Sequence, residues 1–414
     1  MDYDLLRIDL EKSISEELFT LFRGDIIQRV LRESKVESDQ EHLRMMLEGH
    51  AFRITERLAP RLHTLCHGVM EKLKFEEPVE FFVRSAPELN CAAYTRVEED
   101  QAHIVMINSG LLKRFDDDKM RFVIGHELGH LISRNSELVR IMGFVFPEGV
   151  DVPLIFKNRL ALWNKLAELS ADRYGFIASP SLDTCIRVFF ELASGLDTER
   201  MAFEPMAYLE EMEAVIAFFQ EKGTLQGSHP INPVRIKALE FFSQSELYKA
   251  VETDGDMKAD KKLQAKVDEL QNILLHAGLS PLDGHRKRFL AAGGLIIAGA
   301  DQELTEDEID RILAPLAAVT SFPRKYLESV MESGEVPKIF QESVVAILQA
   351  NPSERYKMFA YLIDVALADR AIRDPEVELL FEMGENVFGL AHKEVAQHLG
   401  AAIQRTFIPR FSGS

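Results

Sequence analysis

The chain has 414 residues, 46% of them hydrophobic and 28% charged, which is enough for two or three globular domains with ample core. Its 67 acidic and 48 basic residues leave a net charge of −19, which argues against nucleic acid or an anionic membrane surface as the main partner. No stretch reaches the roughly 20 apolar residues of a transmembrane helix. The first ten residues lack a secretory pattern, and the three cysteines are sparse, so we predict a cytoplasmic protein.

The first 75 residues carry apolar side chains at helical spacing. We therefore predict an N-terminal helical segment over 1–45 and a first domain over 46–250. Short strands are predicted at 79–83 and 104–107, where apolar and β-branched residues follow turn-forming positions. The first of these helical runs is Leu18, Leu21, Phe22, Ile26, Ile27 and Val30.

The segment from Phe122 to Ile132 contains the pattern H-E-x-x-H, as His126, Glu127 and His130. On a helix, residues four apart share one face, so both imidazoles can reach one metal ion while the Glu127 carboxylate lies beside it. A helix beginning near Asp117 or Asp118 would carry the motif. The pattern predicts a zinc-dependent hydrolase; two unrelated histidines on a buried helix are the alternative.

Residues 137–160 follow, with two glycines and two prolines among apolar residues. They predict an irregular loop, which either covers the core or forms a lid over the cleft.

A catalytic zinc site needs a third protein ligand and keeps one position open. Glu168 and Asp172 lie four apart on the next predicted helix, so they share a face. We assign Glu168 as the ligand and Asp172 as the group that orients a histidine through its other ring nitrogen. A solvated acidic helix face is the alternative.

This combination resembles the gluzincin peptidases of the HtpX and CAAX prenyl-protease type, over roughly residues 50–245. Supporting pieces are Asn90 with Cys91, and a late His229-Pro230 followed by Arg235. The resemblance implies an α+β zincin domain, one Zn²⁺ per chain and a peptide or protein substrate. Many members of that type carry transmembrane helices, and this sequence has none.

The resemblance also implies roles for individual residues. Glu127 would be the general base, and His229 and Arg235 would stabilise the oxyanion. An extended substrate would add to an exposed strand edge. We predict that edge at 103–107, with Asn90, His103, Ile104 and Val105 binding substrate. Cys91 is either a redox-sensitive thiol near the metal or a small buried residue.

Polar residues 252–262 predict a linker over 251–263 and an all-helical domain over 264–414. Two segments in that domain, beginning at Ala300 and Ala368, share the pattern A-D-x-x-[LI]-x-x-x-E. They resemble the tellurite-resistance TerB domain, which implies a stress or metal-response role and a protein partner. The candidate cation contacts are Asp301, Glu308, Asp369 and Glu376, and helix capping is the alternative.

The sequence thus predicts a mainly α-helical chain with a small β-sheet, in which a zinc endopeptidase domain precedes an all-α domain. Two other functions remain open. One is a zinc-binding scaffold that cleaves nothing, and the other is a cation-binding stress protein.

Overall fold

The computed structural model describes residues 1–33, 39–96, 100–147, 150, 152–222, 230–275, 280–301, 304–369 and 373–406. These residues form many helices and one four-stranded mixed sheet, and the C-terminal part is all helical, so the predicted fold class is confirmed. The chain divides into two compact units. Unit one comprises Met1–Val152 and Leu160–Ala277, and unit two comprises Pro153–Arg159 and Gly278–Ser414.

Unit one contains the sheet and the helices up to residue 275. Its strands are β1 (Phe52–Arg53), β2 (Val79–Arg84), β3 (Cys91–Tyr94) and β4 (His103–Asn108). Its helices are α1 (Tyr3–Leu6), α2 (Asp9–Leu21), α3 (Gly24–Glu33), α4 (Asp39–His50), α5 (Pro60–Lys72), α6 (Ser109–Arg114), α7 (Asp117–Ile132), α8 (Asn135–Val145), most of α9 (Leu154–Ala178), α10 (Leu182–Ser194), α11 (Pro205–Lys222), α12 (Asn232–Ser243), α13 (Glu246–Glu252) and α14 (Lys261–Leu275).

The sheet has the strand order β1-β2-β4-β3, and both predicted strands are present within it. β4 runs parallel to β2, with Val79 opposite His103, and antiparallel to β3, with Tyr94 opposite Ile104. All residues of β4 are buried. The prediction that residues 103–107 form an exposed edge is therefore wrong, because β4 pairs with β2 on one side and with β3 on the other. The edge beside β4 is β3.

The predicted loop over 137–160 is largely helical. α8 begins directly after Arg134, whose left-handed φ of 57° turns the chain out of α7, and it runs to Val145. Leu138 and Ile141 are buried at helical spacing, and an added Cβ at Gly143 would meet nothing within 4 Å. α9 then begins at Leu154. The loop prediction was wrong because glycine is tolerated on an open helix face.

Glycines allow α7 and α9 to approach each other closely. A Cβ at Gly125 would lie 2.5 Å from the Cβ of Ala178, and one at Gly129 would lie 2.7 Å from the Tyr174 ring. On α9, a Cβ at Gly175 would lie 2.9 Å from the carbonyl oxygen of Phe122. Because real Cβ atoms do not fit at such distances, the glycines set the separation of these two helices.

The N-terminal segment binds along α9. The backbone N–H of Ile8 donates to Ser170 Oγ at 3.0 Å, and Arg173 donates to the carbonyl of Leu6 at 3.1 Å. Glu11 is fully buried and pairs with Arg7 at 2.9 Å. These contacts fix the part of α9 that immediately follows Glu168.

The boundary between the units follows α14, whereas the sequence predicted a linker at 251–263. α14 packs against α11 and α12 in unit one. α14 belongs to unit one because it buries an apolar stripe, formed by Leu263, Val267, Leu270 and Leu274.

In its described residues, unit two is a helical bundle around the aromatic residues Phe289, Phe340, Phe359 and Phe388. Among the described residues, capping boxes begin three of its helices, at Ser280, Thr305 and Arg373. Besides the start of α9, its helices are α15 (Pro281–Ala298), α16 (Glu306–Leu316), α17 (Pro323–Glu332), α18 (Val336–Ala350), α19 (Arg355–Ala366), α20 (Asp374–Asn386) and α21 (His392–Thr406), with a short 3-10 helix at Pro352–Glu354.

Candidate metal centre

Helix α7 presents two imidazoles to one point. Asp116 caps this helix by accepting the backbone N–H of Lys119 at 2.9 Å, one residue before the predicted cap. The rings of His126 and His130 are perpendicular, with centroids 4.8 Å apart, and their Nε2 atoms lie 3.2 Å apart. This is the arrangement that i, i+4 spacing on a helix predicts.

Glu168 on α9 completes a trio of possible ligands. Its Oε2 lies 3.6 Å from His126 Nε2, and its Oε1 lies 3.4 Å from His130 Nε2. One donor atom from each of the three residues lies within 4.8 Å of the others, and no other such group of three is found among the residues that the structure describes. Two imidazole nitrogens and one carboxylate are a donor set that suits Zn²⁺ with an open position.

Asp172 sets the orientation of His126. Its Oδ1 lies 2.9 Å from His126 Nδ1. Because an ionised carboxylate only accepts, Nδ1 carries the proton, and the lone pair of Nε2 faces His130 and Glu168. Burial opposes ionisation of Asp172, but Arg235 and His126 outweigh it and lower the pKa of this carboxyl.

Arg235 on α12 holds both carboxylates of α9. Its Nε and Nη2 donate to Asp172 at 2.8 and 2.6 Å, and Nη2 also lies 3.3 Å from Glu168 Oε2. The guanidinium stacks on the ring of Phe189, 4.5 Å from its centroid. Burial disfavours the charge on Glu168, yet Arg235 and the two histidines offset it and hold the pKa of Glu168 well below its usual range. Glu168 is therefore an anion ready to bind a cation.

Glu127 lies between the histidines in sequence and next to strand β3 in space. Burial raises the pKa of Glu127, and the two histidines and a hydrogen bond from the backbone of Ala93 oppose this rise. A carboxylate whose pKa is shifted towards neutrality is suited to accept and return a proton.

Three residues with a predicted substrate role are buried in strand β4. His103 is buried, with Nε2 3.0 Å from Glu77 and Nδ1 accepting from the backbone of Arg96 at 3.1 Å. Ile104 and Val105 are buried in the interior strand β4. Asn90 is exposed and directly precedes the edge strand β3. His229 lies outside the described residues.

Cys91 lies at the start of β3 and is a free thiol. Burial, with a smaller effect from Glu127, raises the pKa of Cys91 well above its usual value. A protonated thiol is a poor nucleophile, so the raised pKa argues against the redox-sensitive thiol, although the side chain is partly exposed.

Two of the four acidic residues predicted as cation contacts in unit two pair with Arg373. Arg373 lies 3.1 Å from Asp301 and 2.7 Å from Asp369. Glu308 accepts the backbone N–H of Thr305 in a capping box, as the capping alternative predicted, and Glu376 accepts that of Arg373 in a capping box that was not predicted. Each of these two buried glutamates also has one oxygen without a hydrogen-bond partner. Cation binding at this cluster stays a prediction.

Two contributions to the metal centre were not predicted. Ala93 acts through its backbone, which no sequence pattern marks. The N-terminal segment supports α9 through contacts more than 150 residues apart in sequence, such as Ile8 with Ser170, which are separated by 162 positions. Only the fold brings such pairs together.

Comparisons with known proteins agree with this geometry. Residues 56–242 match peptidase family M48. A curated relative is the plastoglobule-localized metallopeptidase 48, chloroplastic, of Arabidopsis thaliana, which is 23% identical over 224 residues. That match covers 50% of this chain and 64% of the relative, so the chain spans less than two thirds of the relative's length. No solved structure matches the chain.

Within the described residues, no helix is both long and apolar enough to cross a membrane. The cytoplasmic location and the TerB resemblance of the C-terminal part stay predictions. The metal centre lies within the matched segment, and the chain therefore contains, over residues 56–242, a domain similar to peptidase family M48.

Proposed function

We propose that unit one is a zinc-dependent peptidase that holds one Zn²⁺ per chain and cleaves internal peptide bonds of a peptide or protein substrate. The observation that carries the proposal is the convergence of His126, His130 and Glu168, with the Glu127 carboxylate on the same helix. The similarity of residues 56–242 to a peptidase family supports it.

His126, His130 and Glu168 would hold the ion, and Asp172 and Arg235 would fix the orientation of two of these ligands. When bound, zinc would polarise the scissile carbonyl as a Lewis acid and make a water molecule more acidic. Glu127 would take the proton of the attacking water on its carboxylate and deliver it to the leaving amine. The raised pKa of Glu127 brings this carboxyl closer to the pH at which both steps are efficient.

Substrate would bind as an additional strand along β3 rather than along β4. β3 is one of the two edge strands of the described sheet, packs against α7 and lies beside Glu127 through Ala93. Free backbone groups on such an edge pair with an extended peptide whatever its side chains are. Asn90 lies at the start of this edge and would contact the substrate backbone.

The oxyanion partner would be His229, as the resemblance implies. Arg235 is the other candidate, but two of its donor nitrogens are directed to Asp172 and Glu168. We therefore assign Arg235 to positioning the two carboxylates. A cytoplasmic location and a protein partner for unit two complete the proposal.

The test is Glu127→Gln, which keeps the shape of the side chain and removes its basicity. We expect zinc content to stay at one ion per chain, while kcat on a mixed peptide library falls by about 10²- to 10⁴-fold. Mass spectrometry of the cleaved peptides would distinguish internal from terminal cleavage. Glu213→Gln, at an exposed position on α11, is the matched control and should cleave as the wild type does.

Equal cleavage by Glu127→Gln and wild type would contradict the role of Glu127. A wild-type protein that binds zinc and cleaves no peptide in the library would favour the silent scaffold instead.

A further inference from the structure

A second histidine pair lies on helix α5. His63 and His67 are four residues apart, and their ring centroids lie 4.0 Å apart with an angle of 41° between the rings. His126 and His130 on α7, with the same spacing, have ring centroids 4.8 Å apart. We propose that His63 and His67 form an accessory binding site for a divalent transition-metal ion, with Cu²⁺ as the preferred ion.

The helix that carries this pair is well anchored. α5 begins with Pro60 in its first turn and buries Leu65, Cys66, Val69 and Met70, so the face with the histidines has a fixed direction. The edge of the His67 ring contacts the ring of Phe81 on β2, with centroids 6.2 Å apart. A preorganised pair of imidazoles loses little conformational entropy when it chelates an ion.

Both rings are partly exposed, so an ion and its water molecules can reach them. Burial and the neighbouring His63 lower the pKa of His67, which favours the neutral ring, whose unprotonated nitrogen can bind a metal ion. Glu71 lies one turn further along the same face and adds a negative charge near the pair.

The nature of the ligands selects the ion. Imidazole nitrogens suit Cu²⁺, Ni²⁺ and Zn²⁺, and Cu²⁺ binds most tightly in this series. With two protein nitrogens the remaining positions belong to water, so this site should bind any given ion more weakly than a three-ligand site would. The site therefore differs from the metal centre in the number of protein ligands.

The experiment is a Cu²⁺ titration of zinc-loaded full-length protein, followed by electron paramagnetic resonance. We expect one Cu²⁺ per chain with a signal from two nitrogen ligands. In His63→Gln/His67→Gln the affinity should fall by at least about 100-fold, because both arms of the chelate are lost. The melting temperature without copper should stay that of the wild type, since glutamine is tolerated on a partly exposed helix face.

Two further proteins sharpen the result. His42→Gln/His50→Gln removes two histidines from α4 and should retain the copper site. His126→Ala/His130→Ala removes the two histidines of the metal centre and should also retain the copper site. Unchanged Cu²⁺ affinity in His63→Gln/His67→Gln would overturn the proposal, as would loss of the copper signal in either of these two controls.

Discussion

Each of the two units contains a cluster in which one arginine contacts two carboxylates. The clusters differ in whether other side chains that could bind a metal ion lie beside those carboxylates. In unit one, Arg235 contacts Asp172 and Glu168. In unit two, Arg373 contacts Asp301 and Asp369. Only the first cluster also contains two imidazoles, and a Glu168 oxygen lies 3.4 Å from the nearer imidazole nitrogen.

The second cluster uses its carboxylates locally. Glu308 and Glu376 each accept the backbone N–H at the start of their own helix, and Arg373 pairs with the two aspartates. Capping occupies one oxygen of each glutamate and leaves the other without a hydrogen-bond partner. The comparison teaches that an acidic residue can serve as a metal ligand when it lies on a helix face opposite other ligand atoms, and that it stabilises a helix when it lies at its start.

The largest expected effect comes from removing an equivalent carboxylate in each cluster. Loss of a residue that hydrogen-bonds to a metal ligand lowers metal affinity by roughly 10- to 100-fold. Glu168→Gln removes a ligand itself, so we expect a larger fall in zinc affinity. Asp369→Asn should leave zinc content unchanged. Metal analysis of both proteins after dialysis against a chelator measures this difference. Equal zinc content in the two variants would remove the distinction between the clusters.

Asp172→Asn tests the support of the metal centre. Asparagine can no longer accept from His126 and Arg235 as an anion does, so we expect zinc affinity to fall by about 10- to 100-fold. Competition with a chromophoric chelator measures the affinity. Asp183→Asn, at an exposed position on α10, is the control. Wild-type affinity in Asp172→Asn would show that the hydrogen bond to His126 is dispensable.

Gly129→Ala tests whether the approach of α7 to α9 creates the first cluster. The added methyl group would lie 2.7 Å from the Tyr174 ring and 3.1 Å from the Cα of Ala171. We expect the free energy of unfolding to fall by about 1–3 kcal/mol, measured by urea denaturation.

The matched control for this glycine is Gly68→Ala on α5, where an added Cβ meets nothing within 4 Å. It should increase stability by up to about 1 kcal/mol through helix propensity. If Gly129→Ala were stabilising to the same extent, glycine would not set the helix separation.

The smallest effect concerns pH in the second cluster. Burial raises the pKa of Glu376 from 4.5 to about 7. The folded state then binds more protons at Glu376 than the unfolded state does between these values, so the contribution of Glu376 to stability is largest at low pH and is lost as pH rises through this window. Glu376→Gln should flatten this dependence. Hydrogen exchange of α20 at several pH values measures it, with exposed Glu378→Gln as control; parallel profiles for Glu376→Gln and wild type would contradict it.

Much of the metal centre could be predicted from sequence because its geometry is local. His126, Glu127 and His130 lie within one helical turn, and Glu168 and Asp172 within another, so the period of the helix fixes which side chains share a face. The sequence also indicated the strands at 79–83 and 104–107. It failed at 137–160, where glycine and proline predicted a loop and buried Leu138 and Ile141 form a helix instead.

By itself, the sequence determined the helix that carries the histidines, the residue types able to hold a metal and the mainly helical character of the chain, because each depends on neighbours a few positions apart. The tertiary structure alone decided that β3, and not β4, is an edge strand of the sheet. It also decided that Arg235 contacts both carboxylates of α9 and that the N-terminal segment supports that helix. Those features depend on pairings between distant segments, which packing and hydrogen bonding select only when the whole chain folds.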